Sequence, residues 1–399
     1  MRTFQLISIL LFLVFYSFIS LGAVKSLLQI TPTAQRKKVF RTLVITSVSI
    51  CAGFILLYVW PITTRNLKSY TFHLIYNAIL SIDFVFKISL TLSFLVGIFI
   101  KEKWKTVIYI IGFVLSIGIS CTVIYGTLFG RKSLMVNNIE LNYKNLPLEF
   151  DGFTLVQISD THLGGFMGSK KLLNKVTEEI NLISPNVILF TGDLVNNFSD
   201  ELDGWDGIFQ IITKNRKCYS ILGNHDYGNY SNWSNDSIKT ENFNKIVAAH
   251  ESFGFKLLNN EHVTLFSGKD SIFLIGVENW GHPPFPQYAN LDSAIIGIPG
   301  NAFKILMTHD PAHWDEVISK RGDIDLSLSG HTHGFQWGIQ KAGITFSLSY
   351  FVRRNWGGLY EKNNSILYVN AGLGTVGIPW RINMPAELTV ITLKRSEID

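Results

Sequence analysis

The chain has 399 residues, of which 47% are hydrophobic, and its mean hydropathy is +0.24. This length exceeds one ordinary domain, and the hydropathy is high for a purely soluble protein. The formal net charge of +5 is mild and forms no single basic face, so nucleic-acid binding is not indicated. The three cysteines show no CxxC spacing, which makes a disulfide framework unexpected.

Most of the hydrophobic excess lies before Arg131, in four long apolar runs. Each run can span a bilayer, which takes about 20 residues. A cleaved signal peptide is the alternative for the first run, but its apolar residues continue past a short signal core. The sequence therefore predicts a transmembrane region of four helices at residues 1–130. The runs extend over about Phe4–Val24, Leu43–Trp60, Phe72–Ile100 and Val107–Leu128.

The distribution of Lys and Arg predicts how these helices are oriented. The first and third loops carry eight such residues, and the opposite side carries five. Because cytoplasmic loops are enriched in positive charge, we expect these two loops to be cytoplasmic. This multi-pass topology places both termini, and the part of the chain after residue 130, outside the cytoplasm.

Asp83 and Lys87 lie four residues apart in the third apolar run, so on a helix they share one face and can pair. One interpretation is a path for an ion or a substrate, as in a transporter. We favour a neutralised pair that stabilises helix packing, because no further ionisable residues line that face.

The second part of the chain, residues 131–399, has the mixed texture of an α/β enzyme, and its predicted strands end in polar residues. The strand Thr154–Ile158 is followed by Asp160 and His162, and then by a helix over about Ser169–Ile183. In an extended segment these two side chains point the same way, so a carboxylate and an imidazole could bind one metal ion.

Two further strands end in the same manner. Asn186–Phe190 is followed by Asp193, and Cys218–Leu222 is followed by Asn224 and His225. Alone, an Asp after a strand is more often a helix cap than a ligand. An amide oxygen next to an imidazole is a combination that an ordinary turn seldom needs.

The last two clusters are purely imidazole. The strand Phe303–Met307 precedes His309, and the apolar alternation of 324–328 precedes His331 and His333. Alone, His309 is more often a hydrogen-bonded turn residue than a ligand. Since open α/β sheets place their sites at the carboxyl ends of strands, all five clusters are candidates for one site.

In chain order, the five clusters contain the motifs D-x-H, G-D, G-N-H-D, a lone His and G-H-x-H. This series resembles the motif pattern of the calcineurin-like metallophosphoesterase superfamily. The later stretch Asn370–Trp380 looks like the closing motif of its membrane-tethered or exported branch. The resemblance implies a four-layer α/β/β/α sandwich over residues 131–399. It also implies two divalent ions, of Mn, Fe or Zn. One ion would be held by Asp160, His162 and His333 and the other by Asn224, His309 and His331, with Asp193 bridging them and His225 facing the substrate.

The resemblance further implies hydrolysis of a phosphomonoester, phosphodiester or pyrophosphate bond by a metal-held hydroxide. The partners would be the membrane and a phosphorylated small molecule or lipid-linked substrate, such as an acylated UDP-sugar. The alternative is a non-catalytic membrane sensor or scaffold. A decayed site would have lost a ligand, and none is missing. The sequence does not indicate an oligomeric state.

Several features near the motifs stay open. Phe335 stands where relatives often carry glycine, and the loop 227–240 is either a lid or a solvated insertion. The aromatic clusters 280–285 and 335–337 could form an apolar surface beside the site for a lipid-linked ester. Ordinary loop packing is the favoured alternative. By charge alone, Arg353, Arg354 and Arg381 are candidate phosphate ligands.

Overall fold

The computed structural model describes residues 2–59, 67–281, 285–341 and 344–396. The chain divides into two compact units. The helical unit consists mainly of residues up to 128, and the α/β unit consists mainly of residues from 129 onward.

Four helices of the described residues in the helical unit are long and apolar enough to cross a membrane. The predicted end of the second span, Trp60 and Pro61, lies outside the described residues. A five-residue π-helical turn, Ile55–Val59, continues the second helix. The helices are α1 (Arg2–Ile30), α2 (Thr33–Phe54), α3 (Leu67–Ile98) and α4 (Glu102–Leu128).

The Asp83–Lys87 pair forms in α3 and lies inside this bundle. The Lys87 Nζ atom lies 2.8 Å from the Asp83 carboxylate, and it donates to the Tyr16 hydroxyl at 2.7 Å and to the Ser47 hydroxyl at 2.9 Å. Tyr16 in turn donates to Asp83. An ammonium group has three protons, and three acceptors surround this one. The buried charge is therefore fully satisfied, as expected for a pair that stabilises packing.

Fourteen strands build the α/β unit within the described residues. They are β1 (Leu134–Tyr143), β2 (Thr154–Ile158), β3 (Val187–Phe190), β4 (Lys217–Ser220), β5 (Lys256–Leu257), β6 (Glu261–Ser267), β7 (Asp270–Gly276), β8 (Lys304–Met307), β9 (Leu326–Ser329), β10 (Ile339–Lys341), β11 (Ile344–Phe346), β12 (Gly358–Lys362), β13 (Ser365–Val369) and β14 (Ala386–Arg395).

Twelve of these strands form two six-stranded sheets, in the orders β1-β14-β2-β3-β4-β5 and β12-β13-β9-β8-β7-β6, and β10 pairs with β11 in a hairpin. Strands β2, β3 and β4 are mutually parallel, and so are β7, β8 and β9. The helices of this unit are α5 (Lys171–Ile183), α6 (Asp206–Thr213), α7 (Asp236–Ser252), α8 (Leu291–Ala294) and α9 (Ser319–Arg321).

Alternation along the strands gives each sheet two apolar faces. In β2, Leu155 packs between the two sheets, whereas Val156 packs against the helices α5, α6 and α7. On the outer face of the second sheet, Leu306 packs against Trp314 and Ile318 from a helical segment. The order is therefore helices, sheet, sheet, helices, which confirms the four-layer α/β/β/α fold.

The parallel strands determine where the polar clusters meet. The carboxyl ends of β2, β3 and β4 lie at one edge of the first sheet, and those of β8 and β9 lie at one edge of the second. Each of these strands is followed at once by a loop that carries predicted site residues.

Candidate metal centre

Five loops bring together the eight residues that the sequence predicts for the site. Several of them leave their strands with a left-handed backbone, which is uncommon outside glycine. Such conformations cost of order 1–3 kcal/mol each and persist where the surrounding structure enforces them, often at functional sites. The residues with positive φ, between 42° and 74°, are Asp160, His162, Asp193, His331 and His333.

Asp160, His162 and His333 form the first cluster, and all three are buried. The Nε2 atoms of His162 and His333 lie 3.0 Å apart, and His333 Nε2 lies 3.3 Å from Asp160 Oδ1. Asp160 is held in place by the backbone N–H of His331, which donates to it at 3.0 Å. Two imidazole nitrogens and a carboxylate oxygen thus converge on one point.

Asn224, His309 and His331 form the second cluster with Asp193. The Asn224 Oδ1 atom lies 2.7 Å from His331 Nδ1 and 3.0 Å from His309 Nε2. His309 Nε2 lies 3.1 Å from Asp193 Oδ2. An amide oxygen, two imidazole nitrogens and a carboxylate therefore face one another.

Asp193 lies between the two clusters. Its Oδ2 atom is 3.4 Å from His162 Nε2 in the first cluster and 3.1 Å from His309 Nε2 in the second. Its Oδ1 atom accepts the backbone N–H of His225 at 2.8 Å, which fixes the carboxylate plane. This position agrees with the bridging role that the family resemblance implies for Asp193.

Burial and the Asp193 carboxylate shift the pKa values of three site imidazoles in different directions. Desolvation lowers the pKa of His331 to about 4 and holds the pKa of His162 well below its ordinary value. Desolvation also acts on His309, but the adjacent Asp193 outweighs it and raises the pKa of His309 to about 10. Neutral imidazoles can act as metal ligands, and His309 lies in a field that attracts positive charge.

Asp226 supports the site in a role that the sequence analysis did not assign. Its buried carboxylate accepts the backbone N–H groups of Asp193, Leu194 and Gly223, at 3.0, 2.9 and 2.8 Å. Desolvation and then the nearby Asp193 raise the pKa of Asp226 to about 7. The signal was present, because Asp226 is the last residue of the G-N-H-D motif.

Gly192 shows why this corner of the site tolerates no side chain. Its φ is 97°, and a Cβ atom there would lie 2.7 Å from the backbone nitrogen of Gly223 and 2.8 Å from His309 Nδ1. The loops after β3, β4 and β8 can approach this closely only around a glycine.

His225 is half-buried beside His162 and Asp193. Its Nδ1 atom donates to the Asn196 carbonyl at 2.7 Å, which directs the protonated nitrogen away from the site. The ring of Tyr230 stacks on it at 4.4 Å, and the Tyr230 hydroxyl accepts from the Asn224 side-chain amide at 2.8 Å. Tyr230 belongs to the loop 227–240, so part of that loop packs on the site. The sequence analysis missed this residue because nothing in an Asn-rich loop distinguishes one tyrosine.

Other residues with a predicted role lie in different surroundings. Arg381 is buried and donates to the carbonyls of Ala371, Gly372 and Gly374, so it is not a phosphate ligand. The Phe335 side chain, where relatives often carry glycine, is 47% exposed. Trp280 stacks on His313 at 4.4 Å, which is ordinary packing, and residues 282–284 of its cluster lie outside the described residues.

The donor atoms fit divalent metal ions. They form three groups, in each of which the candidate ligand atoms lie within 4.8 Å of one another. Imidazole nitrogens mixed with carboxylate and amide oxygens suit Zn, Fe or Mn. One group joins His225 to His162 and Asp193, so geometry alone leaves two roles open for His225, as a ligand or as a residue that faces the substrate.

Comparison with known proteins decides the family. The family model described as calcineurin-like phosphoesterase matches residues 153–335. The Bacillus subtilis metallophosphoesterase YkuE is 30% identical over 277 residues, and the match covers 65% of this chain and 86% of that protein. The chain belongs to the calcineurin-like phosphoesterase family. Members of this family use a dimetal centre, and the His and Asp groups described above are suited to one.

Relatives of this calcineurin-like phosphoesterase include membrane proteins. The Danio rerio transmembrane protein with metallophosphoesterase domain is 28% identical over 283 residues, which cover 68% of this chain and 60% of that protein. The match thus spans less than two thirds of that relative. The four apolar helices and this similarity together indicate that the chain is a membrane protein.

Proposed function

We propose that the chain is a membrane-anchored, metal-dependent phosphoesterase that hydrolyses phosphate ester or pyrophosphate bonds. The observation that carries the proposal is the position of Asp193, whose Oδ2 atom lies 3.4 Å from one cluster of ligand atoms and 3.1 Å from the other. A carboxylate that faces both clusters in this way suits a pair of divalent ions, which lie about 3.5–4 Å apart in two-metal sites.

The residues have distinct roles in this proposal. When bound, the two ions would supply an activated water and neutralise charge on the phosphoryl oxygens. The Asp226 carboxylate accepts backbone N–H groups from the loops after β3 and β4, and so it holds these two loops at a fixed separation. Asp160, His162 and His333 would hold one ion, Asn224, His309 and His331 would hold the other, and Asp193 would be shared between them.

His225 faces the substrate in this scheme. Because its Nδ1–H is held by the Asn196 carbonyl, its Nε2 atom is the one that can bind or release a proton. An imidazole held in this way can stabilise the developing charge or protonate the leaving oxygen. Tyr230 fixes the ring by stacking against it.

The substrate class that we propose is a lipid-linked phosphate ester, such as an acylated UDP-sugar. The four apolar helices support this class, because they hold the chain at a bilayer in which such substrates reside. The excess of Lys and Arg in the first and third loops supports an extracytoplasmic site.

The test is the substitution Asp193→Asn in the full-length protein. Loss of the bridging charge should abolish Mn²⁺-dependent hydrolysis of a generic aryl phosphodiester. Asp203→Asn, at an exposed aspartate outside the site, should retain activity and serves as the matched control. Unchanged turnover in Asp193→Asn would refute the two-metal assignment. If the unsubstituted protein binds metal but hydrolyses nothing across a panel of phosphate esters, a sensor or scaffold is the better account.

A further inference from the structure

Exposed large hydrophobic side chains are concentrated in one short part of the α/β unit. Sixteen such residues are exposed from Leu134 onward among the described residues, and six of them fall within residues 335–352. Single exposed hydrophobic residues are normal on a soluble surface, whereas a group of them marks an interaction site. The six, which we call the apolar rim, are Phe335, Ile339, Leu348, Tyr350, Phe351 and Val352.

Ring contacts and a hydrogen bond link the segments that carry the apolar rim. Ile339 pairs with Phe346 across the β10–β11 hairpin, and the Phe346 ring contacts the Phe351 ring at 6.0 Å. The Phe351 ring contacts the Tyr350 ring at 5.7 Å. The Ser347 hydroxyl donates to the Gly334 carbonyl at 2.6 Å, which joins the turn Leu348–Phe351 to the segment that carries Phe335.

The rim adjoins the metal centre. Phe335 follows His333 by two residues, and the Thr332 hydroxyl donates to the Trp356 carbonyl at 2.5 Å. Arg353, directly after Val352, donates to Asp310 Oδ1 at 3.0 Å, and Asp310 Oδ2 lies 3.8 Å from His331 Nε2. A surface that touches the rim is therefore next to the site.

The chemistry of the rim is that of a membrane interface. Aromatic and aliphatic side chains, with Phe351 73% and Val352 70% exposed, are followed at once by Arg353 and the exposed Arg354. Aromatic rings and basic groups together favour the boundary between acyl chains and anionic headgroups.

The four apolar helices hold the chain at a bilayer. Helix α4 ends at Leu128 and β1 begins at Leu134, so five residues separate the last apolar helix from the α/β unit. We propose that the apolar rim docks into the headgroup region of the bilayer, with Phe351 and Val352 among the acyl chains and Arg354 at the lipid phosphates. This surface goes beyond the proposed function and requires no catalysis.

Photocrosslinking of the full-length protein in liposomes tests the docking directly. The liposomes contain phosphatidylcholine and phosphatidylglycerol with a small fraction of alkyne-tagged phosphatidylglycerol. Benzoylphenylalanine replaces Phe351 in one protein and Phe266 in another. Phe266 is 63% exposed but lies on the edge strand β6, away from the rim residues in sequence and sheet order. We expect tagged lipid on position 351 and none on position 266.

Two results would overturn the proposal: position 351 without lipid, or position 351 crosslinked to a second copy of the chain. Benzoylphenylalanine at Val352 provides an independent site, for which the same results are expected and the same results would overturn the docking. Because crosslinking needs no turnover, a protein that acquires lipid at 351 but hydrolyses nothing would refute the phosphoesterase proposal and leave the docking intact.

A second measurement compares substrates of two kinds. Phe351→Ser combined with Val352→Ser should leave turnover of a soluble aryl phosphodiester within about twofold, and should lower turnover of a diacyl phosphodiester embedded in vesicles at least about tenfold, since about 1.4 kcal/mol of docking free energy corresponds to a factor of ten. Phe266→Ser combined with Ile238→Ser is the matched control. Equal turnover of the embedded substrate in both double variants would contradict the docking.

Discussion

The side chains of the site follow closely from the sequence, whereas their backbone does not. The five motifs, interpreted through the family resemblance, name every candidate ligand that the structure brings together. The left-handed φ of Asp160 and His333 could not be predicted from the sequence. These residues prefer negative φ on their own, and contacts with the surrounding loops enforce the positive value. Asp226 was missed for a related reason: its role depends on backbone N–H groups that come from another loop.

His225 provides the most informative substitution at the scale of single residues. His225→Ala should leave the metal content near that of the unsubstituted protein and slow turnover by about 10²–10⁴. The reason is that Nδ1 bonds to Asn196, so in the proposed mechanism Nε2 exchanges protons. Elemental analysis and aryl phosphodiester turnover measure the two effects.

His262→Ala is a matched control for that substitution. His262 is also a partly buried histidine whose Nδ1 bonds to a backbone carbonyl, that of Ala294 at 2.7 Å, but it lies on β6. This control should change neither quantity. Loss of a metal ion in His225→Ala would instead make His225 a ligand, as its grouping with His162 and Asp193 allows.

At the scale of elements, the strands that carry the site were predictable to within a few residues. The predicted strand Asn186–Phe190 is β3, from Val187 to Phe190, and the predicted helix from about Ser169 begins at Lys171. Continuous apolar runs that end in polar residues give buried parallel strands a strong signal. The loop 227–240 carries no comparable signal in the sequence. Its packing depends on two single residues, Tyr230 against His225 and Trp233 against Phe198.

Helix α7 contains a histidine that makes stability depend on pH. His250 is fully buried against Phe190, and among the described residues its Nε2 atom has no hydrogen-bond partner. Burial lowers the pKa of His250 to about 3, from 6.5 in an unfolded chain. Between these values the unfolded state binds the extra proton, so stability is full above about pH 6.5 and falls as the pH decreases.

The expected contribution of His250 is a loss of about 2 kcal/mol between pH 7.5 and pH 5, or 1.36 kcal/mol per pH unit below 6.5. His250→Leu removes the titrating group and should flatten the dependence by that amount. Denaturant midpoints of the full-length protein in detergent, followed by near-ultraviolet circular dichroism, measure it. Parallel pH dependences in both proteins would show that His250 is not buried in its neutral form.

At the scale of the whole molecule, the four spanning helices and the four-layer fold were both expected, for different reasons. Runs of about 20 apolar residues identify membrane helices directly. The four layers came from the family resemblance, because strand order depends on pairings distant in sequence that no local pattern reveals. The division at residues 130 and 131 stays a prediction, as does the sidedness of the helices.

A reporter fused after the last residue tests the sidedness. The Lys and Arg count predicts that alkaline phosphatase attached there is active. A green fluorescent protein at the same position should be non-fluorescent after export through the general secretory route. The counterpart fusion, with each reporter placed in the loop between α3 and α4, should give the opposite pair of results. Fluorescence at the carboxyl terminus would place the α/β unit in the cytoplasm.

The central claim is that two ions share Asp193, and counting them tests it most directly. The full-length protein is stripped with a chelator, Mn²⁺ is added back in steps, and bound metal and aryl phosphodiester turnover are measured on the same samples. We expect no turnover in the stripped protein, two bound ions per chain at saturation, and turnover that rises with the second ion. Full turnover in the stripped protein, or saturation at one ion per chain, would contradict the account.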